Sequence, residues 1–405
     1  MIILYPILFS LLTFRYYKTR QNTPLSWFLV LYYLLSSVTA NYLYFSNSFN
    51  EFQNISITLH SVLYHFFCLF LVIEGFYQIE KSTDIELPYI QFGRLIFFLM
   101  PLIIFSFISI YDSINLLRKT SGMSIVERRF AYNQRELYDP RTGLLISYIK
   151  NLASTLYPIC IFFFFYISHY YPRKILFAIL LIISSLSIGV HGLTIAGRDS
   201  MVQWIIMFGC NYLLFKHLIT KRFKRKILLL GSFIIIISSV VIVFITMQRF
   251  GERPKDVVDS SLSYFGQGFI NFSKYFELFP GGSFFGKMTF PVLFPVDERV
   301  SPAYLNDNFP GISFYLNVFP TMIGTFYMDF GYLGTIVLSL LIFFLLLLIK
   351  RLYIKSLNYC FLFILILQVL ICGLFWFMHF SLMFQKIFLL LLLYSIYKKL
   401  NQALT

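Results

Sequence analysis

The feature that most constrains this chain is the recurrence of apolar runs about 20 residues long, the length an α-helix needs to cross the hydrocarbon core of a bilayer. About eleven such runs are legible, at 1–14, 25–46, 54–79, 90–111, 144–168, 175–196, 199–216, 227–247, 319–349, 357–377 and 380–397. The first is short; no small-residue cleavage site follows it, so it is taken as a span and not as a signal-peptide core. Of the 405 residues, 58% are apolar and 13% charged, and the mean hydropathy is +0.75. A soluble domain of this size cannot bury that much apolar surface. The same figures exclude disordered, collagen-like and disulfide-scaffold classes. The expectation is an all-α polytopic membrane protein forming a single integral membrane domain over 1–405. The five cysteines (Cys68, Cys160, Cys210, Cys360 and Cys372) all fall inside apolar runs and are expected to be buried structural thiols. The runs Phe162 to Phe165 and Leu345 to Leu348 read as lipid-facing filler.

The net charge of +15 would suggest nucleic acid in a soluble protein. Here it is expected to reflect the cationic bias of cytoplasmic loops, with no nucleic-acid partner. Arg15, Lys18 and Arg20 follow the first run, Lys81 and Arg94 flank the loop after the third, and Arg173 and Lys174 join the fifth and sixth. Lys216, Lys221, Arg222, Lys224, Arg225 and Lys226 join the seventh and eighth; Lys350, Arg351 and Lys355 join the ninth and tenth; Lys398 and Lys399 follow the last. All fall on one side if each run is counted as a crossing, which predicts the N-terminus outside and the C-terminus inside. The other face then carries two long loops, 112–143 and 248–318. Long external loops on fixed spans suggest binding or chemistry at the outer membrane–water boundary.

Polar residues in this apolar context are expensive and therefore informative. Ser124 and Glu127 have capping-box spacing, predicting a helix inside the first loop that ends at Asp139-Pro140. Val126, Phe130 and Leu137 line one of its faces, so it suits the headgroup layer. Arg128, Arg129, Arg135 and Arg141 then either anchor to lipid phosphates or meet an anionic substrate. Gly197-Arg198-Asp199-Ser200 marks the turn between the sixth and seventh runs, with His191 one face-repeat earlier if the helix continues through Gly197. Arg249 and Arg253 close the eighth run, four residues apart. Arginines at the outer ends of neighbouring spans run against the orientation bias. Their planar forks suit a phosphate or pyrophosphate.

His60, His65, His191 and His379 map to the outer half of the membrane; a lone histidine in a span is more often a packing residue than a catalyst. No metal-ligand spacing, Asp-x-Asp or P-loop is present, so no metal, cofactor or ATP hydrolysis is expected. Glu252, Asp256, Asp259, Glu277, Asp297, Glu298 and Asp307 of the second loop are candidate bases or solvated carboxylates. Its aromatic stripe, Tyr264, Phe265, Phe269, Phe272, Tyr275 and Phe276, either stacks on sugar faces or packs the loop down.

Three segments resemble the Wzy-type polymerases that build O-antigen and capsular polysaccharide from oligosaccharide repeat units. They are Leu193 to Ser200; Ser263 to Ser273 with Gly281 to Gly286 and Thr289-Phe290; and Asn317 to Thr321 with Phe326 to Gly334, which contains Phe-Tyr-Met-Asp329-Phe-Gly331. Phe319-Pro320 interrupts the last pattern. The resemblance covers about 190–335 and implies an architecture like that of the GT-C polymerases and ligases. It implies a metal-independent glycosyltransferase, multi-pass in the cell inner membrane, with its active site on the external, periplasmic face. The implied substrates are undecaprenyl pyrophosphate-linked oligosaccharides, and the implied protein partners are a chain-length regulator and a flippase. On matching positions Arg198 and Arg249 are the implied catalytic residues, with His379 as a third by analogy with ligases. Arg253 is the implied third pyrophosphate contact and, with Arg128, Arg135, His191, Tyr264 and Asp329, completes the candidate substrate-binding residues. The alternatives are an O-antigen ligase or other membrane glycosyltransferase, and a flippase for lipid-linked glycans, which should instead carry its polar residues in a central cavity.

Overall fold

A computed structural model describes residues 1–404 except 47–54, 83–88, 134–142, 196, 251–253, 296–299, 301, 313–315, 317–318, 352–356 and 376–381. The described residues are helical and contain no strand. In chain order the helices are α1 (Leu4–Tyr17), α2 (Pro24–Ser46), α3 (Leu59–Ser82), α4 (Phe92–Lys119), α5 (Ile125–Asn133), α6 (Gly143–Tyr170), α7 (Ile175–Ser185), α8 (Ser187–Thr194), α9 (Asp199–Phe215), α10 (Lys221–Phe250), α11 (Pro254–Leu278), α12 (Pro302–Asn308), α13 (Met322–Arg351), α14 (Leu357–Cys372) and α15 (Leu382–Leu404).

Each apolar run of the sequence falls on one of these helices, except that 175–196 is shared by α7 and α8 across a break at Leu186. Among the described residues, seven stretches are long and apolar enough to cross a membrane: Pro24–Ser46, Leu59–Lys81, Phe92–Lys119, Leu145–Tyr170, Pro172–Thr194, Lys221–Gln248 and Met322–Arg351. Helices α1 and α9, of 14 and 17 residues, and the apolar stretches Asn358–Cys372 and Gln385–Tyr397 are shorter. The chain is an all-helical, membrane-embedded protein. The capping box predicted in the first loop is present: the Ser124 N–H donates to Glu127 Oε2 at 2.7 Å and the Glu127 N–H donates to Ser124 Oγ at 3.2 Å.

The chain divides into two compact units, 1–87 with 258–405, and 88–257. In the second unit α6 packs against α4, α7, α8 and α9. Its Phe162, Phe163, Phe164 and Phe165 are at most 3% exposed, which corrects the reading of this run as lipid-facing. Four consecutive helical residues point around the whole circumference, so burial of all four means that α6 is surrounded by its neighbours.

In the first unit α13 lies along α3, and α1 packs on α2. Glu80, near the end of α3, accepts from the Leu25 and Ser26 N–H groups at 2.8 and 2.7 Å. It thereby satisfies amides of the first turn of α2 that have no intrahelical acceptor. Helix α11 lies within the stretch 248–318, which reads as one long loop. Val258, Leu262, Phe265, Phe269, Phe272 and Phe276 recur along it at alternating spacings of four and three, an amphipathic helical period. The signal is legible but falls outside a search for spans, because polar residues interrupt the apolar run. All five cysteines are buried thiols, as expected.

Candidate functional site

The Leu193–Ser200 segment lies in the second unit as a tight reversal between α8 and α9. Helix α8 stops at Thr194, and the Gly197 N–H donates to the Gly192 carbonyl at 2.8 Å, a closure of the Schellman type. The helix therefore does not run through Gly197. The expectation that His191 and Arg198 share one helical face is corrected.

Arg198 immediately precedes α9 and is 3% exposed. Its Nη1 donates to Thr246 Oγ1 at 2.7 Å, and that hydroxyl donates onward to the Ile242 carbonyl at 2.6 Å. Thr246, in the last turns of α10, therefore fixes one edge of the guanidinium. The Asp199 carboxylate lies within electrostatic reach of both Arg198 and Arg129 of α5. A second polar group links Lys150 of α6, paired with Asp112 of α4, to the imidazole of His191 on α8, which feels both charges. Arg128 donates through Nη2 to the Thr120 carbonyl at 3.1 Å, tying α5 to the end of α4.

The arrangement gathers groups that favour negative charge. The N-terminal end of α9 carries partial positive charge and amides without intrahelical acceptors. Placing Arg198 there is unfavourable by itself, because dipole and cation have the same sign. The Asp199 carboxylate, which accepts from the Asp199 and Ser200 N–H groups, supplies one negative charge there; helix ends of this kind also bind phosphate. Arg249 lies in the last turn of α10, the helix that supplies Thr246. The Arg249 side chain, and Arg253, Arg135, Arg141 and His379 entirely, lie outside the described residues.

The other two segments of the resemblance lie in the first unit and share one device. Helix α13 is broken at Gly331, whose φ of 66° and ψ of −167° belong to glycine. The break releases the carbonyls just before it. Gly282 N–H donates to Tyr327 O at 3.1 Å, Ser283 N–H to Met328 O at 3.0 Å, and Phe285 N–H to Asp329 O at 3.1 Å. The Asp329 carboxylate accepts from the Met288 and Thr289 N–H groups at 3.2 and 2.5 Å and is 1% exposed. Its observed work is to hold the 281–289 loop.

Tyr264 is partly exposed and meets Phe319 edge-on at 4.9 Å. Phe269, Phe272 and Tyr275 are fully buried, so the stacking of sugars on them is corrected: no sugar face reaches them while α11 stays packed. His65 is a packing residue, hydrogen-bonded to Tyr5 at 3.0 Å and Thr321 at 3.3 Å and stacked on Phe272 at 4.2 Å.

Of the acidic candidates, Asp259 is 5% exposed, Glu277 accepts from Thr58 at 2.5 Å and Asp307 is exposed. Glu252, Asp297 and Glu298, and the side chain of Asp256, lie outside the described residues. The sequence reading missed Thr246 and Asp112; a threonine one turn before Arg249 in an otherwise aliphatic run was the available signal for the first. Among the described residues no three His, Cys, Asp or Glu side chains gather as metal ligands. Comparison with protein-family models, curated proteins and solved structures finds no match.

Proposed function

We propose that this protein is an oligosaccharide repeat-unit polymerase of the Wzy type in the cell inner membrane. On this reading the chain crosses the bilayer about eleven times, N-terminus outside and C-terminus inside, and the α8–α9 reversal faces the periplasm. The acceptor sugar hydroxyl of one lipid-linked unit attacks the anomeric carbon of the donor glycan. The bond from that carbon to the carrier pyrophosphate breaks, undecaprenyl pyrophosphate leaves with the electron pair, and the hydroxyl proton passes to a carboxylate or histidine. Arg198 and Arg249 hold the donor pyrophosphate and stabilise the charge that develops on it. His379 is the candidate proton carrier, and Arg253, Arg128, Arg135, His191 and Tyr264 are secondary substrate contacts. The observation that supports the reading best is the buried Arg198 guanidinium, held by Thr246 at the N-terminal end of α9.

The test is the surface-glycan ladder of a deletion strain complemented with single variants. Lysine keeps the charge but loses the bidentate fork. Arg198→Lys and Arg249→Lys should each cost on the order of 2–4 kcal/mol of transition-state stabilisation, roughly 30- to 1000-fold in rate. The expected result is single repeat units in place of long chains, with Arg299→Lys close to silent. Full-length ladders from both span-end variants at normal expression would reject the site. Loss of all glycan attachment with free lipid-linked polymer still made would favour the ligase reading.

A further inference from the structure

Within the first unit, three helices bring His60, Phe276, Glu277 and Tyr332 together at the surface. His60 lies in the first turn of α3, Phe276 and Glu277 in the last turn of α11, and Tyr332 directly after the Gly331 break in α13. Tyr332 is fixed from behind. Tyr64, 4% exposed, stacks on its ring at 4.5 Å between centroids, and the Tyr64 hydroxyl donates to the Tyr332 carbonyl at 2.6 Å. With Tyr64 on one face and 41% of Tyr332 exposed, the other face of the ring is open. The exposed His60 ring stands beside it at 5.3 Å, its Nε2 3.1 Å from the Tyr332 hydroxyl, and half-buried Phe276 meets His60 edge-on at 5.3 Å. The Thr58 hydroxyl accepts from the Ser61 N–H at 3.2 Å and donates to Glu277 Oε1 at 2.5 Å. It thereby anchors an exposed carboxylate next to Phe276. A carboxylate accepts about four hydrogen bonds, so Glu277 keeps capacity for further donors.

Tyr332 stands about 27 Å of helix before Lys350, close to the hydrocarbon thickness of a bilayer. On the orientation proposed above, the group therefore lies at the outer membrane–water boundary. Aromatic residues at that depth often serve only as anchors among lipid headgroups. Glu277 separates the two roles by charge: a carboxylate repels a lipid phosphate and accepts from a sugar hydroxyl. The faces of the rings carry partial negative charge, which suits the weakly positive C–H groups on one side of a pyranose. We infer that His60, Phe276, Glu277 and Tyr332 form a carbohydrate site, where a pyranose ring of a membrane-presented glycan lies on the open face of Tyr332 and donates a hydroxyl to Glu277. The assignment rests on the polymerase reading only for the source of that sugar, a carrier-linked glycan. It uses neither the arginines nor any residue of the second unit.

Saturation-transfer difference NMR on the full-length protein in nanodiscs tests it without turnover. The probes are the methyl pyranosides of glucose, galactose, N-acetylglucosamine and rhamnose, with empty nanodiscs as the blank. The expected result is transfer to the C–H protons of at least one pyranoside, stronger on one ring face than on the other. Glu277→Ala, at an exposed position, should weaken binding about tenfold or more. Tyr332→Ala should abolish the transfer, with Tyr332→Leu in its place if the alanine variant fails to fold. Tyr394→Ala, which removes an exposed tyrosine of α15, should change nothing. The matching dodecyl glycoside, held in the nanodisc, should displace the methyl glycoside at a lower concentration than a soluble competitor does; displacement no better than that would overturn the membrane-presented source. No transfer above the blank from any probe, or transfer that survives loss of the Tyr332 ring, would overturn the site. Transfer lost with Tyr332 but untouched by Glu277→Ala would overturn the role of the carboxylate. A glycan ladder from the unaltered protein without sugar contact here would reject this site and leave the polymerase reading standing, whereas sugar contact here without a ladder would do the reverse.

Discussion

Arg198 is held at Nη1 by a hydroxyl, and this matters for its chemistry. Thr246 fixes the edge of the guanidinium that carries Nη1 without neutralising its charge. Thr246→Val removes the acceptor and leaves the shape. A hydrogen bond to a charged group is worth on the order of 1.5–3 kcal/mol, so this variant should shorten the glycan ladder, and Thr246→Ser should restore it. A purely packing role would give the opposite order, with valine tolerated and serine harmful.

Glu127 gives a second prediction, governed by pH. The Ser124 backbone N–H and hydroxyl hold its carboxyl below the usual glutamate range. A depressed value in the folded state contributes stability above the ordinary glutamate pKa, and that contribution is lost as pH falls through the folded value. Protection of the first-turn amides of α5, taken relative to their intrinsic exchange rates, should therefore fall on acidification below about pH 4.3, and the Glu127→Gln variant should show no such step. Protection independent of pH in the unaltered protein would mean that the cap does not hold α5.

Elements were legible in the sequence wherever one local signal decides them. The apolar runs became helices because in lipid the backbone must satisfy itself, and the Ser124–Glu127 spacing became a cap. What was illegible depends on neighbours. The break in α13 is written as one glycine, but its meaning lies in the 282–285 amides that donate to the carbonyls it releases. The four phenylalanines of α6 look like filler until α4, α7 and α9 surround them.

Glycines make this scale testable with opposite signs. Gly331→Ala puts a side chain at positive φ and should cost about 1–3 kcal/mol, measured as a fall in unfolding midpoint in detergent. At Gly266 an added Cβ would stand 2.5 Å from the Ala40 backbone nitrogen. Rotamer change cannot relieve contact with backbone, so Gly266→Ala should cost at least about 1–3 kcal/mol. Gly209, inside α9, has nothing within 4 Å of its added Cβ, so Gly209→Ala should stabilise by up to about 1 kcal/mol. Uniform destabilisation by all three would contradict the packing described.

At the scale of the whole molecule, the charge pattern and the position of the candidate anion site make one joint prediction. If the Lys221–Lys226 cluster is cytoplasmic, the opposite end of α10 faces outward, and with it Thr246 and Arg249. Single cysteines at 224 and 283 in a background lacking the five native ones should divide accordingly, with an impermeant reagent reaching 283 and not 224 in intact cells. The reverse pattern would put the arginines on the wrong face for a carrier-linked glycan exported before polymerisation. The most direct test of the central claim is to supply purified protein in liposomes with synthetic lipid-linked repeat units as its only substrate, in the presence of EDTA. The account predicts a ladder of lengthening lipid-linked glycan with release of undecaprenyl pyrophosphate, reduced to the starting unit by Arg198→Lys. An unchanged starting unit with the folded, unaltered protein, or a ladder that appears only when a divalent metal is added back, would contradict it.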